Sequence, residues 1–145
     1  ICGFSYVLPF EMVNLRNQTS YYLFYGTHHV KGADVMKAAM WKVDPRGQYR
    51  FSARAAGQMV MFGGEHVDVS PLADALLGRF AGRVASMTEI EESVVACTPY
   101  CRSHTRKALG VLEADGLIAV KGRRRARTYP TGCAVTFALG PRPGR

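Results

Sequence analysis

The second half of the chain repeats its apolar positions at helical spacing and marks the ends of each repeat with capping residues. Leu72, Ala75, Leu76 and Phe80 recur three and four apart, which predicts one apolar helix face. Ser70-Pro71 opens this helix as N-cap and first-turn proline: a hydroxyl accepts a free amide there, and proline lacks an amide that would go unbonded. Gly82 closes it. Thr88-Glu-Ile-Glu91 has the form of a capping box and starts a short helix through Val94-Val95. Thr98-Pro99 repeats the N-cap and proline device. It predicts a third helix running to Asp115, with Ala108, Leu109 and Leu112 inward and Gly116 as left-handed terminator. Residues 117–120 and 134–139 then read as two strands, joined by an arginine-rich loop from Lys121 to Gly132.

The first half is patterned differently. Residues 4–12 are apolar and aromatic, residues 14–20 are polar, and Tyr21-Tyr-Leu-Phe-Tyr25 is aromatic again, the pattern of an antiparallel strand pair. The aromatics of this second run are expected in the core rather than on a base-stacking platform. After a loop from Gly26 to Gly32, residues 33–43 predict a helix that buries Val35, Met36, Ala39, Met40 and Val43 and stops at Asp44-Pro45. Residues 48–62 carry no clear period and read as irregular structure or short strands. The expected fold is α+β: a small α/β segment over 1–64, a winged helix-turn-helix domain over 65–139, and a flexible tail over 140–145.

Composition narrows the function. With 145 residues, 48% of them hydrophobic, the chain can fill one ordinary core or two small ones. No apolar run is long enough to span a bilayer, and no signal-peptide pattern opens the chain, so neither a membrane nor export is expected. The start at Ile1 reads as a fragment or a processed product. The four cysteines lack the dense even spacing of a disulfide framework, and a reduced cytoplasmic protein is the expectation. The net charge of +8 is unevenly placed. Residues 102–127 hold eight Lys and Arg against two Asp and Glu, and such a concentrated basic stretch points to a polyanionic partner.

The charge falls on two predicted elements. The start of the third helix offers Arg102, Ser103, His104, Arg106 and Lys107, and the N-terminal residues of a helix in the major groove are those that reach base edges. The loop offers Lys121, Arg123, Arg124, Arg125 and Arg127, enough for several phosphates or a narrow minor groove. Other chemistry is thinner. Cys97, Cys101 and His104 supply only three ligands across a turn, so no metal is expected. His28-His29 stands without a carboxylate constellation, which leaves no catalytic group in the chain. Gly63-Gly64 lacks phosphate-loop spacing.

Two resemblances extend this reading. Residues 101–118, Cys-Arg-Ser-His-Thr-Arg-Lys-Ala-Leu-Gly-Val-Leu-Glu-Ala-Asp-Gly-Leu-Ile, resemble the recognition helix of winged-helix regulators, including the GntR type. That likeness implies that Arg102, His104 and Arg106 face DNA while Thr105, Leu109 and Leu112 pack inward. Residues 21–44 resemble the three-Cys-motif partner proteins, whose C-terminal part the later winged helix with Tyr129-Pro130 is similar to. It implies that the opening strands and helix end a methyltransferase-like domain. The Gly-rich cofactor loop of such a domain is missing here, so no cofactor is expected to bind this chain unaided. The expected function is nucleic-acid binding, with duplex DNA favoured over RNA. The alternatives are the substrate-positioning end of a methyltransferase-like enzyme and a winged helix that binds a partner protein.

Overall fold

A computed structural model of the chain describes residues 3–52 and 67–140. The chain divides into two compact units, Ile1–Val67 and Asp68–Arg145. Each is α+β. Among the described residues there are four helices and two three-stranded sheets.

In the first unit, β1 (Tyr6–Val13) and β2 (Thr19–Thr27) form an antiparallel hairpin. Its polar connection is tied by Asn14, whose side-chain oxygen accepts the backbone amides of Arg16 and Gln18 at 2.9 and 3.0 Å. The short β3 (Arg50–Ser52) lies parallel to β1, giving the order β2-β1-β3. It pairs β1 only from Glu11 to Val13, so at Pro9 one side of β1 carries no ladder and a missing amide is tolerated. The predicted irregular stretch thus contributes one strand; residues 53–62 of it lie outside the described residues.

The helix α1 (Val30–Val43) starts three residues earlier than expected and turns a different face inward. Ala33, Lys37 and Met40 are buried, whereas Val35 and Val43 are exposed. The buried positions follow one another by four and three, and the apolar four-carbon stem of Lys37 fills the place between Ala33 and Met40. The aromatics of β2 correct a second expectation. Tyr21, Tyr22, Leu23 and Phe24 are each more than half exposed, because β2 is the edge of its sheet and α1 covers little of it.

The second unit begins with α2 (Ser70–Phe80), which buries Leu72, Ala73, Leu76, Leu77 and Phe80 and leaves Ala75 exposed. Ser70 is its first helical residue, not its cap; the carboxylate of Asp68 accepts the Ser70 amide at 2.9 Å instead. A strand absent from the sequence reading, β4 (Val84–Ser86), follows Gly82. Ser86 then caps α3 (Met87–Cys97), its hydroxyl accepting the Glu89 amide at 3.2 Å. The expected cap at Thr88 is displaced by two residues because Met87 is already fully buried in the core.

The third predicted helix is α4 (Arg102–Ala114), and Thr98 does not cap it. Thr98 is extended, as the residue before a proline prefers, and its hydroxyl donates to the Val94 carbonyl at 2.7 Å, closing α3. The far end matches the expectation. Gly116 sits at φ 71°, its amide donates to Glu113 at 3.1 Å, and that of Leu117 donates to Leu112 at 2.8 Å, the pair of bonds of a Schellman cap. β5 (Ile118–Lys121) and β6 (Ala134–Phe137) are antiparallel, and β4 adds to the other side of β6, giving the order β4-β6-β5.

One core unites these elements. Leu72, Leu76 and Phe80 from α2 meet Ile90 and Val94 from α3, Leu109 and Leu112 from α4, and Val135 and Phe137 from β6. Phe80 and Phe137 stack with centroids 5.3 Å apart. Three helices backed by a small sheet with a long β5–β6 loop make a winged helix. No helix among the described residues is long and apolar enough to cross a membrane.

Candidate nucleic-acid interface

The packing of α4 decides which side chains remain outside. Thr105, Ala108, Leu109 and Leu112 are fully buried, so Arg106 and Lys107 between them, and Ser103 before them, face solvent. The wing, residues 122–133, returns alongside this exposed face. Arg106 and Lys107 line one open cleft with Arg124, Arg125, Arg127, Thr128 and Tyr129; its volume is about 890 Å³. Among the described residues, five cationic side chains and no carboxylate line it. Arg127 takes a φ of 56°, a left-handed conformation that a side-chain-bearing residue rarely adopts. Lys121, at the end of β5, is exposed and does not line the cleft.

Of the candidate residues, Arg102, Arg106, His104 and Arg123 have partners inside the domain. Glu91 on α3 stands between Arg102 Nε at 3.7 Å and Arg106 Nη2 at 3.6 Å. The pairing is unequal: the Arg106 side chain is 60% exposed and that of Arg102 only 34%, so Arg106 is the more available of the two.

His104 turns inward. It is buried and faces the turn before α4, because its Nδ1 accepts the Cys101 amide at 3.5 Å and its ring meets Tyr100 edge-on at 5.7 Å. An imidazole in that place serves as a helix cap. His104→Ala is therefore expected to cost about 1 kcal/mol of stability, the usual worth of a cap, and to leave nucleic-acid affinity within twofold or so. Thermal melts and anisotropy titrations of the same variant check both halves.

Arg123 is also engaged within the domain. It points back from the wing and forms a bidentate pair with Glu113 of α4, with Nη1 to Oε2 at 2.8 Å and Nη2 to Oε1. Tyr129 donates its hydroxyl to the same carboxylate at 2.6 Å. These two donors hold the Glu113 carboxyl down at about 2, and burial with the same hydrogen bond pushes the Tyr129 phenol up. The trio fixes the base of the wing to α4. Sequence reasoning counted Arg123 with the loop charges and missed Glu113, Tyr129 and Glu91.

Two of the described thiols are buried and one is exposed. Cys133 is buried under the β6 start, its carbonyl accepting the Met87 amide at 3.3 Å, and its pKa is raised by burial. Cys101 is buried at the α4 cap, 3.2 Å from the Ser103 hydroxyl, and Cys97 is exposed beside Arg79. Among the described residues no group of three or more His, Cys, Asp and Glu is placed to hold a metal ion. In the first unit His28 packs on Phe4 at 5.1 Å, and His29 precedes α1 with its amide bonded to Thr27 Oγ1.

Comparison with known proteins gives one family. Its model, described as the GMT-like wHTH domain, matches residues 51–123, a span that contains α2, β4, α3, α4 and β5. No curated protein and no solved structure matches the chain. The match spans half of the chain and runs through the helices and strand that build the winged helix, so the chain belongs to the GMT-like wHTH domain family.

Proposed function

We propose that the chain binds nucleic acid, with duplex DNA as the preferred form, through the cleft between the start of α4 and the wing. The observation that carries this reading is the convergence of Arg106 and Lys107 from the helix with Arg124, Arg125 and Arg127 from the wing on one cleft free of carboxylates. Winged helices are commonly nucleic-acid binders, and helix-turn-helix folds place this helix in the major groove. Duplex DNA suits the pair because its major groove admits a helix while the neighbouring backbone or minor groove meets a basic loop. In this assignment Ser103, Arg106 and Lys107 approach the groove. Arg124, Arg125, Arg127 and Lys121 meet phosphates. Arg102, Arg123 and His104 hold the others in place.

Fluorescence-anisotropy titration of random duplex DNA, single-stranded DNA and duplex RNA over a range of salt tests the proposal. Four phosphate contacts give an expected slope of log K against log salt of about −3.6, with duplex DNA bound most tightly. Absence of binding to all three at low salt would reject the reading and favour a winged helix whose basic wing meets an acidic protein. Arg106→Ala is expected to lose about 1–3 kcal/mol of discrimination between duplex sequences, the worth of a bidentate arginine–guanine contact. Arg102→Ala, which removes the less exposed partner of Glu91, is expected to lower Tm more than it changes discrimination.

A second reading places this domain in a larger enzyme. The likeness of residues 21–44 to three-Cys-motif partner proteins, with a mixed sheet and helix in the first unit, supports a role as the part that presents nucleic acid to a methyltransferase-like domain. Here the cleft chemistry is the same, and the catalytic groups come from elsewhere.

A further inference from the structure

The edge strand β2 departs from how soluble proteins treat sheet edges. Tyr21, Tyr22, Leu23 and Phe24 are 55, 52, 53 and 68% exposed, four large apolar side chains in a row. No strand among the described residues pairs with the outer edge of β2. Its nine residues, Thr19-Ser-Tyr-Tyr-Leu-Phe-Tyr-Gly-Thr27, contain no charge and no proline. Natural edges are guarded by lysine, proline, bulges or shortness, and an unguarded one is a template for a further strand.

The strand is also chemically two-fold about Leu23. Read outward from Leu23 in both directions, Tyr22 answers Phe24, Tyr21 answers Tyr25, Ser20 answers Gly26 and Thr19 answers Thr27. An antiparallel partner with this same sequence would thus set like against like at every position. We propose that β2 is a homodimer interface, in which two copies of the chain pair their β2 strands antiparallel about Leu23 and join the two sheets into one of six strands.

Each term of this pairing is favourable. The two-fold contact is isologous, so every interaction made on one side of the axis recurs on the other. On one face Tyr22 and Phe24, already 6.3 Å apart within a strand, meet Phe24 and Tyr22 of the other copy, forming a cluster of four rings. On the other face Tyr21, Leu23 and Tyr25 meet their counterparts. With no charge in the strand, nothing repels, and the free backbone groups of both edges enter a ladder. The exposed halves of the four side chains supply about 400 Å² per copy, taking about 200 Å² for each residue. The total of about 800 Å² lies below the standard size for stable interfaces and gives a weak, concentration-dependent dimer rather than a permanent one. The pairing is independent of the nucleic-acid reading.

Sedimentation equilibrium of the full chain from about 1 to 200 µM tests it, and twice the chain mass is expected at the upper end. Leu23→Lys sets two ammonium groups opposite one another on the axis and is expected to weaken association at least about tenfold. Circular dichroism confirms that this exposed substitution leaves the fold in place. The register has its own test. In the Leu23→Cys variant the two thiols face each other within disulfide reach, so mild oxidation gives a crosslinked dimer. Leu15→Cys, equally exposed in the hairpin turn, should crosslink no more than the parent chain. A single-chain mass at all concentrations, an undiminished Leu23→Lys dimer, or equal crosslinking of the two cysteine variants would each overturn the proposal.

Discussion

Replacing Arg124, Arg125 and Arg127 together by Gln is expected to flatten the salt dependence of nucleic-acid binding by about 2.7 in the slope of log K against log salt. The three side chains are exposed and line the cleft with Arg106 and Lys107. Each phosphate neutralised by a cation releases about 0.9 of a condensed counterion, so three lost contacts remove three such contributions. Between 50 and 200 mM salt this amounts to about 40-fold less loss of affinity, and at the low-salt end all sequences bind more weakly to a similar extent. Gln keeps a polar, hydrogen-bonding end on a shorter side chain, so the change in salt slope reports the lost charge. Arg123→Gln is the internal comparison. Its guanidinium is engaged by Glu113, so its loss should appear in stability and leave the slope nearly unchanged. Anisotropy titrations of the parent chain and both variants at four salt concentrations check this. A slope that the triple variant does not alter, or that Arg123→Gln alters as much, would refute the role given to the wing tip.

The contrast between Arg123 and its neighbours shows where sequence reading stops. The order of helices was legible, because the periodicity of Leu72, Leu76 and Phe80, the Leu109 and Leu112 pair, and the Gly116 terminator are local signals, each set by a few consecutive residues. What failed was set by contacts between distant positions. Glu113 lies 10 residues from Arg123 and 16 from Tyr129 in the chain, and only the return of the wing onto α4 brings them together. Within an arginine-rich loop nothing local marks one arginine as different. The place of His104 was not legible for a related reason. Its helical position is ambiguous between the groove and the turn, and the Cys101 amide and the Tyr100 ring decide it.

Some misses had a readable signal. Ser86-x-x-Glu89 has the capping-box form as clearly as Thr88-x-x-Glu91, and the alternation of Val84-Ala85-Ser86 is that of a strand, with Ala85 buried between two exposed residues. Three residues are too few for periodicity to speak, and β4 exists because β6 offers it a ladder. The exposure of β2 is the opposite case. An aromatic strand predicts burial, and only the sheet order reveals that no strand among the described residues lies beside its outer edge.

Glu113→Gln is expected to lower the Tm of the winged-helix unit by about 5–10 °C at pH 7 and by only about a quarter of that near pH 2.5. The Glu113 carboxyl, ordinarily near 4.5, ionises at about 2 in the fold because Arg123 and then Tyr129 donate hydrogen bonds to its charged form. A folded-state value below the unfolded one means that the unfolded chain takes up the proton first. The stabilisation is therefore fully present above about pH 4.5 and is lost as the pH falls toward 2. The carboxylate side chain is 19% exposed, and screening on that open side brings its contribution to about 1–2 kcal/mol. In the variant one amide replaces a charge that accepts three hydrogen bonds, and the Tyr129 hydroxyl and the Arg123 fork lose their shared acceptor. The wing then hangs from β5 and β6 alone, so the cations of its tip no longer hold a fixed spacing from Arg106 and Lys107. Duplex affinity should fall along with Tm, although no group in the cleft has been changed. Thermal melts of both chains from pH 7 to 2.5, with anisotropy titrations at pH 7, separate these effects. Equal Tm values at pH 7 would show that the trio does not anchor the wing; lower Tm with full affinity would show that the wing finds its place without it.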